Sequence, residues 1–251
     1  MAAVIIERSM HPDWLSNAYL VADEPSGHGV LIDSGGPVGP LLDAVERHGV
    51  TVRHLLLTHH HADHVAGNAT VREALDVEVL AHPLEVQELT DVDRALVPGQ
   101  RLEVGRLLVD SLHTPGHTAG MLAFVVDGTD VFTGDTLFKG SVGGVRAPGS
   151  TTFADLRESV MDVLMRLPHE TRAHPGHTDA TTIGAEWEEN AFVRLWRGLD
   201  AEGTEPCAVR GEKATLVLWG PDYDGGHKAW VRYEDSGRDD IVGGSQVTRT
   251  G

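Results

Sequence analysis

Three imidazoles and a carboxylate occur within six residues in the pattern His-x-His-x-Asp-His, formed by His59, His61, Asp63 and His64. Neutral imidazole and carboxylate are protein ligands of zinc and of neighbouring transition metals. The apolar run at residues 52–57 predicts a buried strand directly before this motif. The motif would then lie on a loop at the C-terminal end of a strand, where α/β sheets place their functional sites. We interpret it as a metal site rather than a solvated histidine-rich turn.

Further ligand types follow at points where the chain again leaves a predicted strand. His117 lies in a Pro-Gly-His-Thr turn after the strand at residues 107–112, and the same four residues recur around His177. Such a turn directs a side chain back across a strand end. Asp135 follows the strand at 130–133, where a buried carboxylate is costly unless it is paired or metal-bound. We predict that His117 and His177 are ligands and that Asp135 bridges two metals.

Four other residues near these strand ends carry weaker signals. Asp33 is interpreted equally well as a residue that orients a ligand histidine and as the cap of the following helix. We expect His82 to be structural because no partner motif surrounds it. His113 and His174 precede the two ligand turns and are expected to pack beside them.

The composition indicates a globular chain with an acidic surface. Its 251 residues suffice for one sizeable α/β domain, and 41% of them are hydrophobic. The formal net charge of −18 argues against a nucleic acid or an anionic membrane as partner. Because Cys207 is the only cysteine, the sequence excludes a disulfide and a cysteine-based zinc site. Residues 1–7 lack the features of a signal peptide and no apolar run approaches membrane-spanning length, so we expect a cytoplasmic protein.

The predicted elements divide the chain into two parts. Strands and helices intermingle up to residue 199, with helices expected at 65–75, 153–167 and 184–199. We therefore assign residues 1–199 to an α/β catalytic domain and residues 200–251 to a C-terminal extension.

The C-terminal extension is predicted to be a β-appendage packed on the domain. Strands at 214–219 and 228–233 would form a hairpin. Its aromatic residues are expected to pack within the hairpin rather than to line a pocket. These aromatic residues are Trp219, Tyr223, Trp230 and Tyr233.

The ligand series His59-x-His61-x-Asp63-His64, His117, Asp135 and His177 resembles that of the metallo-β-lactamase fold superfamily. The resemblance covers roughly residues 4–199 and implies an αβ/βα sandwich of two mixed sheets flanked by helices, with two metals at their shared edge. By the family pattern, one metal would be held by His59, His61 and His117, the other by Asp63, His64 and His177, and Asp135 would bridge them.

Within this superfamily, residues 114–120 and 132–138 look like the hydroxyacylglutathione hydrolase (glyoxalase II) group. The β-lactamases proper lack an aspartate like Asp135, and a chain of charge −18 does not favour the polyanionic substrates of the superfamily's nucleases. Three departures concern the thiol carrier. Relatives often have Gly-Arg-x-Asp where residues 143–146 read Gly-Gly-Val-Arg, and Thr178 follows the last ligand where glyoxalase II has Glu. The β-appendage also replaces a helical domain that helps to hold glutathione.

The resemblance implies a hydrolase of small-molecule acyl thioesters with two divalent metal ions, zinc first, with iron and manganese as alternatives. Asp63 would ligate a metal and orient the attacking hydroxide, and Asp135 would hold both metals, so both count as catalytic. A second interpretation is a persulfide dioxygenase with one iron held by His59, His117 and Asp135. A third is lactone hydrolysis at the same site.

A non-enzymatic interpretation treats the chain as a metal-holding module whose appendage binds another protein. The appendage would also suit a homodimer contact.

Overall fold

The first half of the chain forms a mixed six-stranded sheet. A computed structural model describes residues 4–249. Residues 1–3, which belong to the segment expected to lack a signal peptide, lie outside the described range. So do residues 250–251, the end of the predicted appendage. The strands are β1 (Ile5–Met10), β2 (Asn17–Ala22), β3 (His28–Ile32), β4 (Thr51–Leu56), β5 (Glu78–Ala81) and β6 (Arg94–Ala95). They lie side by side in chain order, antiparallel up to β3 and parallel from β3 onward. All six residues of β2 are buried, as expected for a strand covered on both faces.

A second six-stranded sheet follows, in the order β14-β13-β10-β9-β8-β7. The elements of this part are β7 (Arg101–Val104), β8 (Leu107–His113), β9 (Leu122–Val126), β10 (Asp130–Gly134), a small hairpin of β11 (Leu137–Phe138) and β12 (Ser141–Val142), β13 (Arg172–Pro175) and β14 (Thr181–Thr182). A turn at Asp127 and Gly128 joins β9 to β10 as a hairpin, and both residues have positive φ (51° and 71°). Since β9 is antiparallel to both β8 and β10, and β13 is parallel to β10, the carboxyl ends of β8, β10 and β13 meet at one edge.

Helices cover the outer faces of the two sheets. They are α1 (Gly39–His48), α2 (Ala62–Val65), α3 (Asn68–Leu75), α4 (Phe153–Glu158), α5 (Ile183–Glu189) and α6 (Ala191–Trp196). A π-helix (Ser159–Val163) follows α4, and 3-10 turns occupy Val86–Glu88, Leu164–Arg166 and Gly244–Gln246.

Three predicted helices differ from the structure. The helix expected at 65–75 is interrupted: Val65 ends α2, and α3 begins at Asn68, because Gly67 leaves the helical conformation and donates its N–H to the Ser34 carbonyl at 3.1 Å. The segment 153–167 is helical but changes type after residue 158. The segment 184–199 breaks at Asn190, whose Oδ1 accepts from the backbone N–H of Phe192 at 3.0 Å and so begins a new helix.

Apolar residues fill the space between the sheets and beneath the helices. Val30, Phe124 and Phe132 belong to the cluster between the sheets, where each is at most 1% exposed. Separate clusters lie under α1 and α3 on one side and under α4 and α6 on the other. The predicted αβ/βα sandwich is thereby confirmed.

The prediction that the C-terminal extension is a hairpin is wrong, because the extension is larger. It is a five-stranded antiparallel sheet in the order β18-β17-β16-β15-β19. Its strands are β15 (Glu205–Val209), β16 (Glu212–Pro221), β17 (His227–Tyr233), β18 (Asp239–Gly243) and β19 (Val247–Arg249). The two predicted strands are β16 and β17. The flanking strands were not predicted because they are short and polar and show little alternation of apolar and polar residues. Val217, Trp230 and Ile241 join the cluster under α4 and α6, so the sheet packs on the first part of the chain.

Candidate metal centre

The seven predicted ligands all follow strand ends at the shared edge of the two sheets. The His-x-His-x-Asp-His motif begins after β4, and His117 follows β8. Asp135 directly follows β10, and His177 lies two residues beyond β13. Folding of the two sheets against each other therefore brings residues that are more than 100 positions apart into one cluster.

The structure groups these side chains into overlapping sets of three. Within each set, one donor atom per residue lies within 4.8 Å of the others. The sets are His59-His61-His117, His59-His64-Asp135 and Asp63-His64-His177. Asp135 lies between the first and third sets, with Oδ2 at 3.4 Å from His117 Nε2 and 3.3 Å from His177 Nε2. The arrangement matches the two predicted triads with a carboxylate between them; metal ligation itself stays a prediction.

Unsatisfied polar atoms within the cluster fit a bound cation. His59 Nε2, His64 Nε2 and Asp135 Oδ1 are buried and make no hydrogen bond with the described residues, although the last two lie 3.3 Å from each other as an ion pair. Buried polar atoms without partners are costly, and native structures rarely keep several of them together. Nitrogen and carboxylate donors are the ligands that zinc, iron and manganese accept.

The outer ring nitrogens of the histidines are held by the surrounding chain. His117 Nδ1 donates to the Gly144 carbonyl at 2.8 Å, and His177 Nδ1 donates to the Trp14 carbonyl at 3.1 Å. Such contacts fix the ring orientation and direct the other nitrogen toward the cluster.

Asp33 orients one ligand and holds the loop that carries it. Its Oδ2 accepts from His64 Nδ1 at 2.9 Å and from Thr58 Oγ1 at 2.8 Å, and its Oδ1 accepts from the Thr58 N–H at 2.8 Å. The following helix begins at Gly39, out of reach of this side chain. Of the two interpretations of Asp33, the structure supports the orienting role.

The pKa shifts of the cluster reflect burial and mutual charge. Burial lowers the pKa of His117 to about 4 and holds that of His59 well below its ordinary value, so both rings are neutral, as ligands must be. Burial opposes the charged form of His64, yet Asp135 and Asp33 raise its pKa to about 9. A metal at His64 would therefore compete with a proton. Burial also opposes the charge on Asp135, but His177 and His64 hold its pKa well below the usual range.

Glu85 holds two of the ligand loops together, a role that sequence reasoning missed. It is 1% exposed and joins the loop of the first ligands to the loop of His117. Its Oε2 accepts from the His60 N–H at 2.9 Å and from His60 Nδ1, and its Oε1 accepts from Thr118 Oγ1 at 2.7 Å and the Gly120 N–H at 2.9 Å. A lone glutamate in an irregular stretch gives no sequence signal for this role.

The second Pro-Gly-His-Thr turn requires its glycine. A Cβ on Gly176 would lie 2.2 Å from Asp135 Oδ1, closer than any real contact. The absence of a side chain therefore lets β13 approach the central carboxylate.

The remaining histidines near the strand ends are structural, as predicted. The rings of His82 and His113 stack at 4.6 Å. His174 stacks on Phe132 at 4.7 Å, and its Nε2 lies 2.8 Å from Asp130 Oδ1.

A pocket beside the cluster is lined by both parts of the chain. Its volume is about 320 Å³, and its walls include His117, Asp135 and Phe138 from the first part. Tyr223, in the loop between β16 and β17, stacks on the His177 ring with centroids 4.1 Å apart and an interplanar angle of 19°. The expectation that the aromatic residues of the appendage pack within the hairpin is therefore wrong for Tyr223, which lines the pocket, and for Trp230, whose ring centroid lies 4.9 Å from that of Phe153.

The chain belongs to the metallo-beta-lactamase superfamily, whose sequence profile matches residues 11–177. Among curated relatives, it is 35% identical over 159 residues to a hydroxyacylglutathione hydrolase of Rhizobium meliloti, covering 63% of this chain and 60% of that protein. Among solved structures, ETHE1 from Myxococcus xanthus matches with a TM-score of 0.68 and 30% identity over 75% of this chain and 84% of that one. TTHA1623 in a di-iron-bound form matches with a TM-score of 0.61 and 38% identity over 70% and 94% of the two chains.

No helix among residues 4–249 has the length and apolar character needed to cross a membrane.

Proposed function

We propose that this chain is a two-metal hydrolase that cleaves small acyl thioesters. The observation that carries the proposal is the pair of donor triads, His59-His61-His117 and Asp63-His64-His177, with Asp135 between them. A facial triad for one iron needs only three of these seven side chains, so the remaining four would be unexplained. The similarity to hydroxyacylglutathione hydrolases supports the thioester as substrate, although the chain spans only 60% of the length of the Rhizobium relative.

Two divalent metals held by these two triads would lower the pKa of a bound water toward about 7 and would polarise a carbonyl oxygen. In this proposal, Asp63 would hold one of the metals and orient the attacking hydroxide. It suits that role because its side chain is 29% exposed, whereas that of Asp135 is 7% exposed. The leaving thiol has an ordinary pKa of about 8.5 and departs as a thiolate without a general acid.

Zinc is the first expectation for the metal, with iron and manganese as alternatives, because the donor set suits all three. We also propose a cytoplasmic location, which the single free cysteine, Cys207, supports.

The second candidate function is a persulfide dioxygenase with His59, His117 and Asp135 on one iron. The 30% identity to ETHE1 from Myxococcus xanthus favours it.

The test is a parallel assay of the metallated protein, with release of thiol from acyl thioesters in one arm and oxygen uptake with a persulfide in the other. We expect thiol release and no oxygen uptake; oxygen uptake without thiol release would replace the first proposal by the second. Lactones belong in the same panel, since the third interpretation predicts their hydrolysis instead.

A further inference from the structure

The C-terminal sheet contributes three kinds of group to the pocket beside the metal cluster. Tyr223 stacks on His177 and also meets the Phe138 ring edge-on at 4.9 Å. Arg210, at the tip of the β15–β16 hairpin, and Lys228, on β17, line the same pocket. The appendage therefore forms a wall of the candidate active site.

Cations outnumber carboxylates in the lining of this pocket, whereas carboxylates outnumber cations in the whole sequence. Its lining includes three cations, Arg146, Arg210 and Lys228, and two carboxylates, Asp135 and Asp222. Asp135 faces the candidate metals. The carboxylates of Asp222 and Asp240 offset Lys228 and Arg146, which leaves Arg210 as the cation of this lining that can attract an anionic ligand.

Two of these cations have partners, whereas the third has none among residues 4–249. Lys228 Nζ lies 3.0 Å from Asp222 Oδ2, and Arg146 Nε donates to Asp240 Oδ2 at 2.6 Å. Arg210 is exposed at the hairpin tip and makes no side-chain hydrogen bond or ion pair with residues 4–249. Its five N–H donors are therefore available to a ligand.

The backbone at Arg210 is strained. Arg210 and Gly211 form the two-residue turn between β15 and β16, and Arg210 has φ 51°. Such turns favour Asn or Gly at the first position, because other side chains meet the backbone there at a cost of about 1–2 kcal/mol. An arginine held at this position against local preference points to a function for its side chain.

We propose that Arg210, supported by Lys228, binds a carboxylate of the substrate, so that the substrates are acyl thioesters that carry a second, anionic group. This proposal rests on the proposed function, which it deepens. A pocket of about 320 Å³ is at the small end of ligand sites, so it fits a short carboxylate chain rather than a nucleotide phosphate. The guanidinium of Arg210 suits bidentate contact with a carboxylate.

The test is equilibrium binding of non-hydrolysable thioethers to the metallated protein by calorimetry. The two compounds of the first pair differ only in a carboxylate or a carboxamide on the acyl side. They are S-(3-carboxypropyl)-N-acetylcysteamine and S-(3-carbamoylpropyl)-N-acetylcysteamine. The other pair carries these groups on the thiol side, as S-butyl thioethers of 3-mercaptopropionate and its amide. We expect wild type to prefer the carboxylate by about tenfold in one pair, since a charge-assisted hydrogen bond contributes that much. The pair that shows the preference identifies which half of the substrate is anionic.

Arg210→Asn is the informative variant because asparagine suits the turn and the fold should persist. We expect this variant to lose most of the carboxylate preference and Arg210→Lys to keep part of it. Lys213→Gln, at an exposed position of β16 outside the pocket, removes the same charge and should leave the preference unchanged. A preference that survives Arg210→Asn, as expected if the carboxylate binds only the metals, would overturn the proposal, as would equal binding of carboxylate and carboxamide by wild type.

Hydrolysis of the corresponding succinyl and succinamoyl thioesters is measured separately. Failure of wild type to cleave any thioester would refute the proposed hydrolase, while the binding result would still decide the role of Arg210.

Discussion

Replacement of Glu85 by glutamine should loosen the metal centre without touching a ligand. The carboxylate accepts four hydrogen bonds that tie the first ligand loop to the loop of His117. Each carboxylate oxygen accepts two of these hydrogen bonds. Glutamine replaces one of the two oxygens by an NH₂ group, which cannot accept, so two hydrogen bonds are lost. Hydrogen bonds to a charged group contribute about 1.5–3 kcal/mol each, and removal of the buried charge offsets part of this loss. We expect Glu85→Gln to lower the free energy of unfolding by about 3 kcal/mol.

The assay is urea unfolding of Glu85→Gln and wild type, each with metal and with chelator, together with metal affinity by competition. We expect the metal affinity to fall about tenfold to a hundredfold, as for other residues that orient ligands. The control is Glu88→Gln, an exposed carboxamide substitution three residues further on, which should change stability by less than about 0.5 kcal/mol. If Glu85→Gln unfolds like Glu88→Gln and holds metal like wild type, the reasoning is refuted.

Three further predictions concern stability and metal binding. Burial raises the pKa of Asp130, but hydrogen bonds from His174 and Arg172 hold it below its ordinary value. Its stabilisation is thus present above about pH 4 and is lost as pH falls through the lower folded pKa. Asp130→Asn should remove this loss of stability at acidic pH and should lower the free energy of unfolding by about 3 kcal/mol near neutral pH. Urea unfolding at a series of pH values measures both effects. Asp33→Asn turns one acceptor beside His64 into a donor and should weaken metal binding about tenfold or more, measured by chelator competition. Removal of metal by EDTA should lower Tm in calorimetry, because the donors converge only in the folded chain; an unchanged Tm would contradict a structural contribution of the metals.

The ligand cluster could be predicted from sequence because its members are chemically distinctive and each follows a readable strand. His117 and His177 were identified by a repeated turn, and the strand before each is apolar enough to recognise. The alternation of elements was enough to predict an α/β domain, whereas the sandwich architecture was implied by the resemblance of the ligand series to the superfamily. These are local signals.

The features that escaped prediction depend on contacts distant in sequence. Glu85 gains its role only because β5 brings its loop against that of His117. Tyr223 reaches His177 because a five-stranded sheet packs on α4 and α6, and the outer strands of that sheet are too short and polar to recognise. The break at Asn190 did carry a local signal, since asparagine is a favoured residue at the start of a helix.

The central claim is that Asp135 joins two metal-binding triads. The most direct test is the number of metal ions per chain, by mass spectrometry on protein purified without added metal and quantified by amino-acid analysis. We predict about two divalent ions per chain in wild type, as in other two-metal hydrolases. About one iron per chain, with no second ion taken up on incubation with zinc or manganese, would contradict the two-metal account.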